Sequence, residues 1–256
     1  MKRVLITFSG ANYDTTTQRI VEQGRLLGAD DVRVYDDKWL MAQDFYKQNR
    51  WLWDHPHKRG FGWYAWKPYI IWHALQSLND GDVVLYVDAD TAPVSYFGML
   101  YERCAADGGI MLFASENHAQ HEWCKQDCYD AMAQPVTLTQ AGVARFTLFQ
   151  KGPWKAAQFL MEWLAYVVNP LCNTFDISTF EHPGFIEHRA EQAIMTNLAH
   201  KYGLKLYREA CQAGNGIDRD RDLYGLLFEQ VDQDTTHVTA EPLGSKFCNV
   251  EATCVR

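Results

Sequence analysis

The stretch Gly81-Asp82-Val83-Val84-Leu85-Tyr86-Val87-Asp88-Ala89-Asp90-Thr91-Ala92-Pro93 decides how this chain reads. Asn79-Asp80-Gly81-Asp82 is a turn signal, and the apolar, β-branched run after it reads as a buried strand. The strand ends in Asp88-Ala89-Asp90. Side chains at i and i+2 of an extended segment point to the same side, so both carboxylates project from the strand's carboxyl end. In open α/β sheets that edge is where ligands bind. Paired carboxylates suit a hard divalent cation, Mg²⁺ or Mn²⁺, which prefers oxygen ligands and bridges substrate phosphates. The competing reading is two solvated aspartates at a strand-to-turn junction, and Asp-x-Asp alone does not separate the two.

Outward from this strand, helical and extended patterns alternate, as in an α/β fold. Arg3–Phe8 reads as the first strand and Thr15–Leu27 as a helix, with Thr15 or Asp14 as its N-cap. Val32–Tyr35, Ile110–Ser115, Val143–Phe149 and Leu204–Arg208 read as further strands. Pro68 falls in the first turn of a helix that buries Ile70, Ile71, Ala74, Leu75 and Leu78 on one face. A helix follows Pro153, another spans His188–Tyr202, and Gly203 is its expected C′ residue. Asn169–Gly184 reads as a long irregular stretch suited to a lid or acceptor loop.

The block in front of the Asp-x-Asp strand is Gly60-Phe61-Gly62-Trp63-Tyr64-Ala65-Trp66-Lys67-Pro68, followed by a helix and then Leu85-Tyr86-Val87-Asp88-Ala89-Asp90. Further on come Glu122-Trp123-Cys124-Lys125-Gln126-Asp127, Gln140-Ala141-Gly142 and His188-Arg189-Ala190-Glu191-Gln192. In this order, over roughly residues 3–208, the chain resembles a family of small GT-A-fold glycosyltransferases that use nucleotide-sugar donors. The resemblance implies one α/β domain with a mostly parallel central sheet flanked by helices. The donor half would be about 1–115 and the sugar and acceptor half about 116–256.

The resemblance also assigns roles. Asp90 would ligate Mn²⁺ or Mg²⁺ directly, and Asp88 would contact the ribose or a metal-bound water, with Ala89 between them at the donor. GT-A enzymes often take a last ligand from a His near the C-terminus; by order this is His237, whose alternative is an ordinary exposed His. The donor nucleotide would lie over the first strand at Thr7, Phe8 and Ser9, with Gly10 allowing close approach and Tyr13 stacking on the base. Phe8 as core and Tyr13 as a loop aromatic are the plainer readings. Trp66 would wall the pocket or pack. A Lys at a helix start opposes the helix dipole, so Lys67 gains nothing structurally there and makes sense facing a diphosphate or a sugar-binding carboxylate. Gln140 and Gly142 would run along the donor sugar. Glu191 and Gln192 would hold donor hydroxyls or act near the anomeric carbon. The family usually carries Asp-Gln here, so Glu191 departs by one methylene. Its alternative is a helix-start Glu favoured by the dipole. Asp127 would contact donor or acceptor.

The expected activity is transfer of a sugar, first of all from a UDP-sugar, by an enzyme of hexosyltransferase type. The acceptor stays open between a polysaccharide, a glycolipid, a protein and a small molecule, with nucleic acid last. Two alternatives use the same fold. A nucleotide-sugar nucleotidyltransferase needs a Gly-rich, basic loop after the first strand, which Ser9-Gly10-Ala11-Asn12-Tyr13-Asp14 is not. A non-catalytic nucleotide- or carbohydrate-binding protein has no need of the intact Asp88/Asp90 pair.

Composition agrees. The chain has 256 residues, 47% of them hydrophobic, enough for one sizeable core. A net charge of −8 gives no field for a polyanion, although His55-Pro56-His57-Lys58-Arg59 is a local basic run. No apolar run approaches the ~20 residues of a membrane span. The N-terminus reads as a strand, not a signal peptide. The 7 cysteines are odd in number and scattered, which fits no disulfide framework and points to the cytoplasm. A rival metal motif, His118, His121, Cys124 and Cys128, would form one helical stripe. About ten helical residues span ~15 Å, so a straight helix cannot close such a set around one zinc ion.

Overall fold

A computed structural model of the chain describes residues 1–10, 14–55, 60–177, 180–212 and 224–230. Its first third contains β1 (Arg3–Phe8), α1 (Asp14–Leu27), β2 (Asp31–Tyr35), three short helices α2 (Asp37–Ala42), α3 (Asp44–Gln48) and α4 (Trp51–Asp54), and then α5 (Trp66–Gln76). The middle adds β3 (Val83–Val87), β4 (Thr91–Pro93), α6 (Gly98–Ala106), β5 (Ile110–Ala119), α7 (Gln126–Ala131) and β6 (Gln140–Gln150). The last part holds α8 (Trp154–Val167), α9 (Pro170–Asn173), α10 (Ala190–Lys201), β7 (Leu206–Arg208) and β8 (Phe228–Gln230).

The central sheet runs β2-β1-β3-β6-β5-β7. β6 is antiparallel to both neighbours, and the other pairings are parallel. The sequence dictates this burial. In β1, Val4, Ile6 and Phe8 face one core cluster and Leu5 the other; in β3, Val84 and Tyr86 face the first, and Val83, Leu85 and Val87 the second. Apolar residues at every position require cover on both faces. Ile70 and Ile71 of α5, Trp163 of α8 and Leu198 of α10 supply one layer; Ile20 of α1 and Leu100 and Tyr101 of α6 supply the other. This is the single α/β domain with a mostly parallel sheet that the sequence predicts.

Two departures bear on the site. The helix expected from His188 starts at Ala190, whose φ of 45° breaks the chain path just before Glu191. The Asn169–Gly184 stretch is not wholly irregular. Asn169 caps α9 by accepting from Leu171 N at 3.0 Å, and Pro170 opens it. Of the cysteines, Cys104, Cys124, Cys128, Cys172 and Cys211 are buried and free. Among the described residues no helix is long and apolar enough to cross a membrane.

Candidate active site

The turn before α5 places the site's first elements. Gly60, Gly62, Trp63 and Tyr64 all have φ between 55° and 59°. Left-handed backbone at consecutive Trp and Tyr costs on the order of 1–2 kcal/mol per residue, so packing must hold it. Trp63 is fully buried, and a Cβ at Gly62 would sit 2.3 Å from the Trp53 indole nitrogen. The turn delivers Trp66 and Lys67 into the first turn of α5, where Pro68 has no N–H to leave unpaired.

Lys67 is 4% exposed and sits where the helix dipole is unfavourable to it. Two carboxylates compensate. Its Nζ lies 3.0 Å from Asp88 Oδ1 at the end of β3 and 3.1 Å from Glu191 Oε1 at the start of α10. It also donates to the Ala144 carbonyl of β6 at 3.4 Å. The rings of Tyr64 and Tyr86 lie 5.2 and 5.4 Å from the ammonium, within cation–π range. The Tyr86 hydroxyl donates to Asp88 Oδ1 as well. Burial opposes the Lys67 charge, but Asp88 and Glu191 together hold its pKa above the ordinary value. Burial pushes the Glu191 carboxyl up to about 7 against the pull of Lys67. Burial, then the Asp88 charge, raises the Tyr86 phenol well above its usual range.

Beside this cluster opens a cleft of about 370 Å³. Phe8, Phe61 and Trp66 form an aromatic wall, with the Phe8 and Trp66 rings stacked 3.9 Å apart at 21°. Trp66 Nε1 donates to the Phe61 carbonyl at 3.0 Å, which fixes the indole. Asp88, Ala89 and Asp90 line the cleft too, and so does Asp37 at the start of α2. Asp90 Oδ1 accepts from Thr91 Oγ1 at 2.7 Å and Oδ2 from Gln230 Nε2 at 3.0 Å. Arg145 of β6 pairs with buried Glu209 at 3.2 Å, and its charge is felt by both aspartates. Burial raises the Glu209 pKa, Arg145 opposes the rise, and Asp88 adds to it.

Four carboxylates (Asp88, Asp90, Glu191 and Glu209) thus face two cations, Lys67 and Arg145, where the ends of β3 and β7 meet the middle of β6 and the starts of α5 and α10. Such a site repels a diphosphate unless a cation intervenes. Asp88 and Asp90 supply hard oxygen ligands on one cleft wall and fit Mn²⁺ or Mg²⁺, which is commonly held by one or two carboxylates plus phosphate oxygens and water. Among the described residues no three His, Cys, Asp or Glu side chains form a ready-made metal cage.

The other sequence-predicted residues fall in several places. Gln192 stands beside the cluster, its Oε1 accepting from Ala144 N at 3.4 Å. Gly142 lies against α10: its N–H donates to Thr196 Oγ1 at 3.0 Å, and a Cβ would press on Met195 and Thr196. It seats the helix that carries Glu191 and does not line the cleft. Gln140 is at the far end of β6, donating to the Ser115 carbonyl at 2.5 Å. The Ser9 hydroxyl accepts from Thr17 at 2.7 Å, and the buried Thr7 hydroxyl has no partner among the described residues. Neither lines the cleft, whereas Phe8 between them does. Asp127 is buried in the first turn of α7, apart from the cleft and close to Lys125 and His188. There Lys125 Nζ donates to the Asp176 carbonyl at 2.6 Å, and burial then Lys125 push His188 down to about 3. Tyr13, His237 and most of the His55–Arg59 run lie outside the described residues.

The zinc stripe does not form. His118 ends β5 and bonds the Ser115 hydroxyl at 2.5 Å; His121 lies in a 3-10 turn; Cys124 and Cys128 are buried against Asn197. These four lie on a strand, a turn and a short helix, not on one helix.

Sequence reasoning missed Tyr86, Asp37, Arg145, Glu209 and Gln230. Tyr86 had a signal, because it precedes Asp88 by two on the same strand and so shares its side. The other four are brought in by tertiary pairing.

No protein-family model matches this sequence, and no curated protein matches it. Among solved structures it is similar to the WbbM bifunctional glycosyltransferase in its apo form, at a TM-score of 0.53 and 10% identity over 82% of this chain. It spans only 39% of that chain. It is also similar to apo mouse xyloside xylosyltransferase 1, at a TM-score of 0.48 and 9% identity over 93% of this chain and 99% of that one. The WbbM likeness is one of fold, and it agrees with the sheet described above, an α/β fold of the GT-A type.

Proposed function

We propose that this protein is a metal-dependent glycosyltransferase that moves a sugar, a hexose by preference, from a UDP-sugar to an acceptor. The observation that carries the proposal is that the Asp88 and Asp90 carboxylates and the Phe8–Trp66 stack line one cleft. A nucleotide diphosphate sugar matches both halves. Its base has an apolar face for the aromatic wall. The Asp37 carboxylate accepts a base N–H, which uracil offers at N3. Its diphosphate fits at the aspartates.

Mn²⁺ or Mg²⁺ held by Asp90 and Asp88 would neutralise the charge that builds on the departing diphosphate. Lys67 does not reach for phosphate. Its ammonium is spent between Asp88 and Glu191, so it orients both carboxylates and keeps the buried cluster one charge from neutral. With a pKa near 7, Glu191 both accepts and donates hydrogen bonds at neutral pH, which suits a group that holds sugar hydroxyls. Gln192, next along α10, accepts from Ala144 N at 3.4 Å beside the same cluster. Trp163 Nε1 donates to the Glu191 carbonyl at 3.1 Å and fixes its backbone. On this reading residues of about 1–115 bind the donor nucleotide, and about 116–256 face the donor sugar and the acceptor, whose identity among polysaccharide, glycolipid, protein and small molecule is a separate question.

The test is a panel of nucleotide sugars with and without Mn²⁺, assayed for free nucleotide diphosphate. Mn²⁺-dependent release of UDP from one donor is expected. Absence of release from every donor, together with no metal-dependent nucleotide binding, contradicts the proposal.

A further inference from the structure

We infer that the side chain of Gln230 supplies a third protein oxygen to the cation held by Asp88 and Asp90. The inference rests on the metal-dependent reading above.

Asp88 is half committed. Its Oδ1 takes both the Lys67 ammonium and the Tyr86 hydroxyl, which leaves Oδ2 for a ligand. Asp90 uses Oδ1 for Thr91 and Oδ2 for the Gln230 amide. A cation at Asp90 therefore competes with Gln230 or recruits it. An octahedral or larger oxygen shell is not completed by two carboxylates.

The residue type favours recruitment. A Lys or Arg against Asp90 would cancel the charge that attracts the cation. An amide leaves that charge intact, and a half-turn about its last bond exchanges the donor nitrogen for the acceptor oxygen. The backbone beneath it is fixed, and the side chain reaches Asp90 Oδ2 from it. Gln230 pairs with Thr91 in the two-stranded sheet of β4 and β8. Its N–H donates to Gln212 Oε1 at 3.1 Å, and its carbonyl accepts from Gln212 Nε2 at 3.2 Å. Two residues earlier, fully buried Phe228 anchors the strand against Phe97 and Phe146, with ring centroids at 5.1 and 5.0 Å. The amide itself is only half-buried. The small sheet thereby serves to hold one amide oxygen at the cation.

The experiment titrates Mn²⁺ into the full chain in the presence of UDP and reads protein-bound Mn²⁺ by electron paramagnetic resonance. The variants are Gln230→Leu, Gln230→Glu and Asp90→Asn. Loss of a ligand weakens Mn²⁺ binding in the Leu variant by roughly 10–100-fold. The Glu variant, which restores an oxygen, binds as tightly as the parent or tighter. A hydrogen bond that only orients Asp90 gives a loss in both variants, because neither Leu nor Glu donates to Asp90 Oδ2. Parent-like binding by Gln230→Leu, or equal loss in the Leu and Glu variants, overturns the inference while a loss in Asp90→Asn keeps the cation reading. Unchanged binding by Asp90→Asn, or no bound Mn²⁺ in the parent, removes the cation reading and the inference together.

Discussion

Lys67 Nζ and Glu191 Oε1 lie 3.1 Å apart with both side chains 5% exposed, so the helix after the Trp66 turn and the helix after Ala190 meet through one buried ion pair. Breaking a buried pair costs far more than forming it gains, because the remaining charge is left without water. Lys67→Met strands two carboxylates, Asp88 and Glu191, and lowers stability by about 3–5 kcal/mol at neutral pH. Acid protonates Glu191, whose carboxyl sits at about 7, so the deficit shrinks from pH 8 to pH 5. Chemical denaturation at the two pH values measures it, and a deficit independent of pH contradicts the pairing.

Glu191 has its own pH signature. Its carboxyl titrates near 4.5 in the unfolded chain and at about 7 in the fold. The folded state therefore binds the extra proton between these values. Stability from this group is full below 4.5 and is lost as pH rises to about 7, by on the order of 3 kcal/mol. Glu191→Gln cannot ionise, still leaves Lys67 paired with Asp88, and is expected to be more stable than the parent at pH 8 and equal to it near pH 4.5. Turnover falls in the same variant. Denaturation midpoints from pH 4.5 to 8 test this, and parallel profiles for parent and variant contradict it.

The aromatic wall makes a binding prediction. Trp66→Leu removes one face of the Phe8–Trp66 stack. Stacking of a base on an aromatic ring contributes about 1–3 kcal/mol, so UDP affinity drops about ten-fold or more. The donor KM rises while kcat changes little, as for binding made equally in ground and transition states. A lowered kcat at unchanged KM moves the nucleotide elsewhere.

The left-handed turn can be separated from its packing. Gly62→Ala adds both an unfavourable φ of 58° and a collision with Trp53, whereas Gly81→Ala adds only an unfavourable φ of 92° with nothing within 4 Å. Gly62→Ala is expected to destabilise by about 1–3 kcal/mol, more than Gly81→Ala, and to lower turnover by displacing Trp66 and Lys67. Equal thermal shifts in the two variants contradict a packed turn.

The parts legible in the sequence are those with one dominant local signal. β1 and β3 carry continuous apolar runs and α5 has one clear buried face; Asp88 and Asp90 both reach the cleft as expected, but through a turn closed by Thr91 N and the Asp88 carbonyl, because β3 stops at Val87 and strand alternation does not extend to Asp90. The short helices α2 to α4 were not legible, because aromatic-rich segments of four to six residues show no resolvable period. The pair β4 and β8 was hidden for another reason: each strand has three residues and exists only through its distant partner. The same distance hid Gln230, Arg145 and Glu209 from any local pattern. Gly142 packs against Met195 and Thr196 of α10, a contact no local pattern announces. Lys67 was recognised as misplaced for a helix start, and the structure supplies the two carboxylates that explain it.

Calorimetric titration of UDP into the parent and Asp90→Asn, each with Mn²⁺ and with EDTA, tests the central claim most directly. An acidic cleft that needs a cation to accept a diphosphate binds UDP in the parent with Mn²⁺, loses that binding in EDTA, and loses it in Asp90→Asn while the fold melts near the parent temperature. UDP binding of equal strength in EDTA, or full Mn²⁺-dependent binding by Asp90→Asn, contradicts the account.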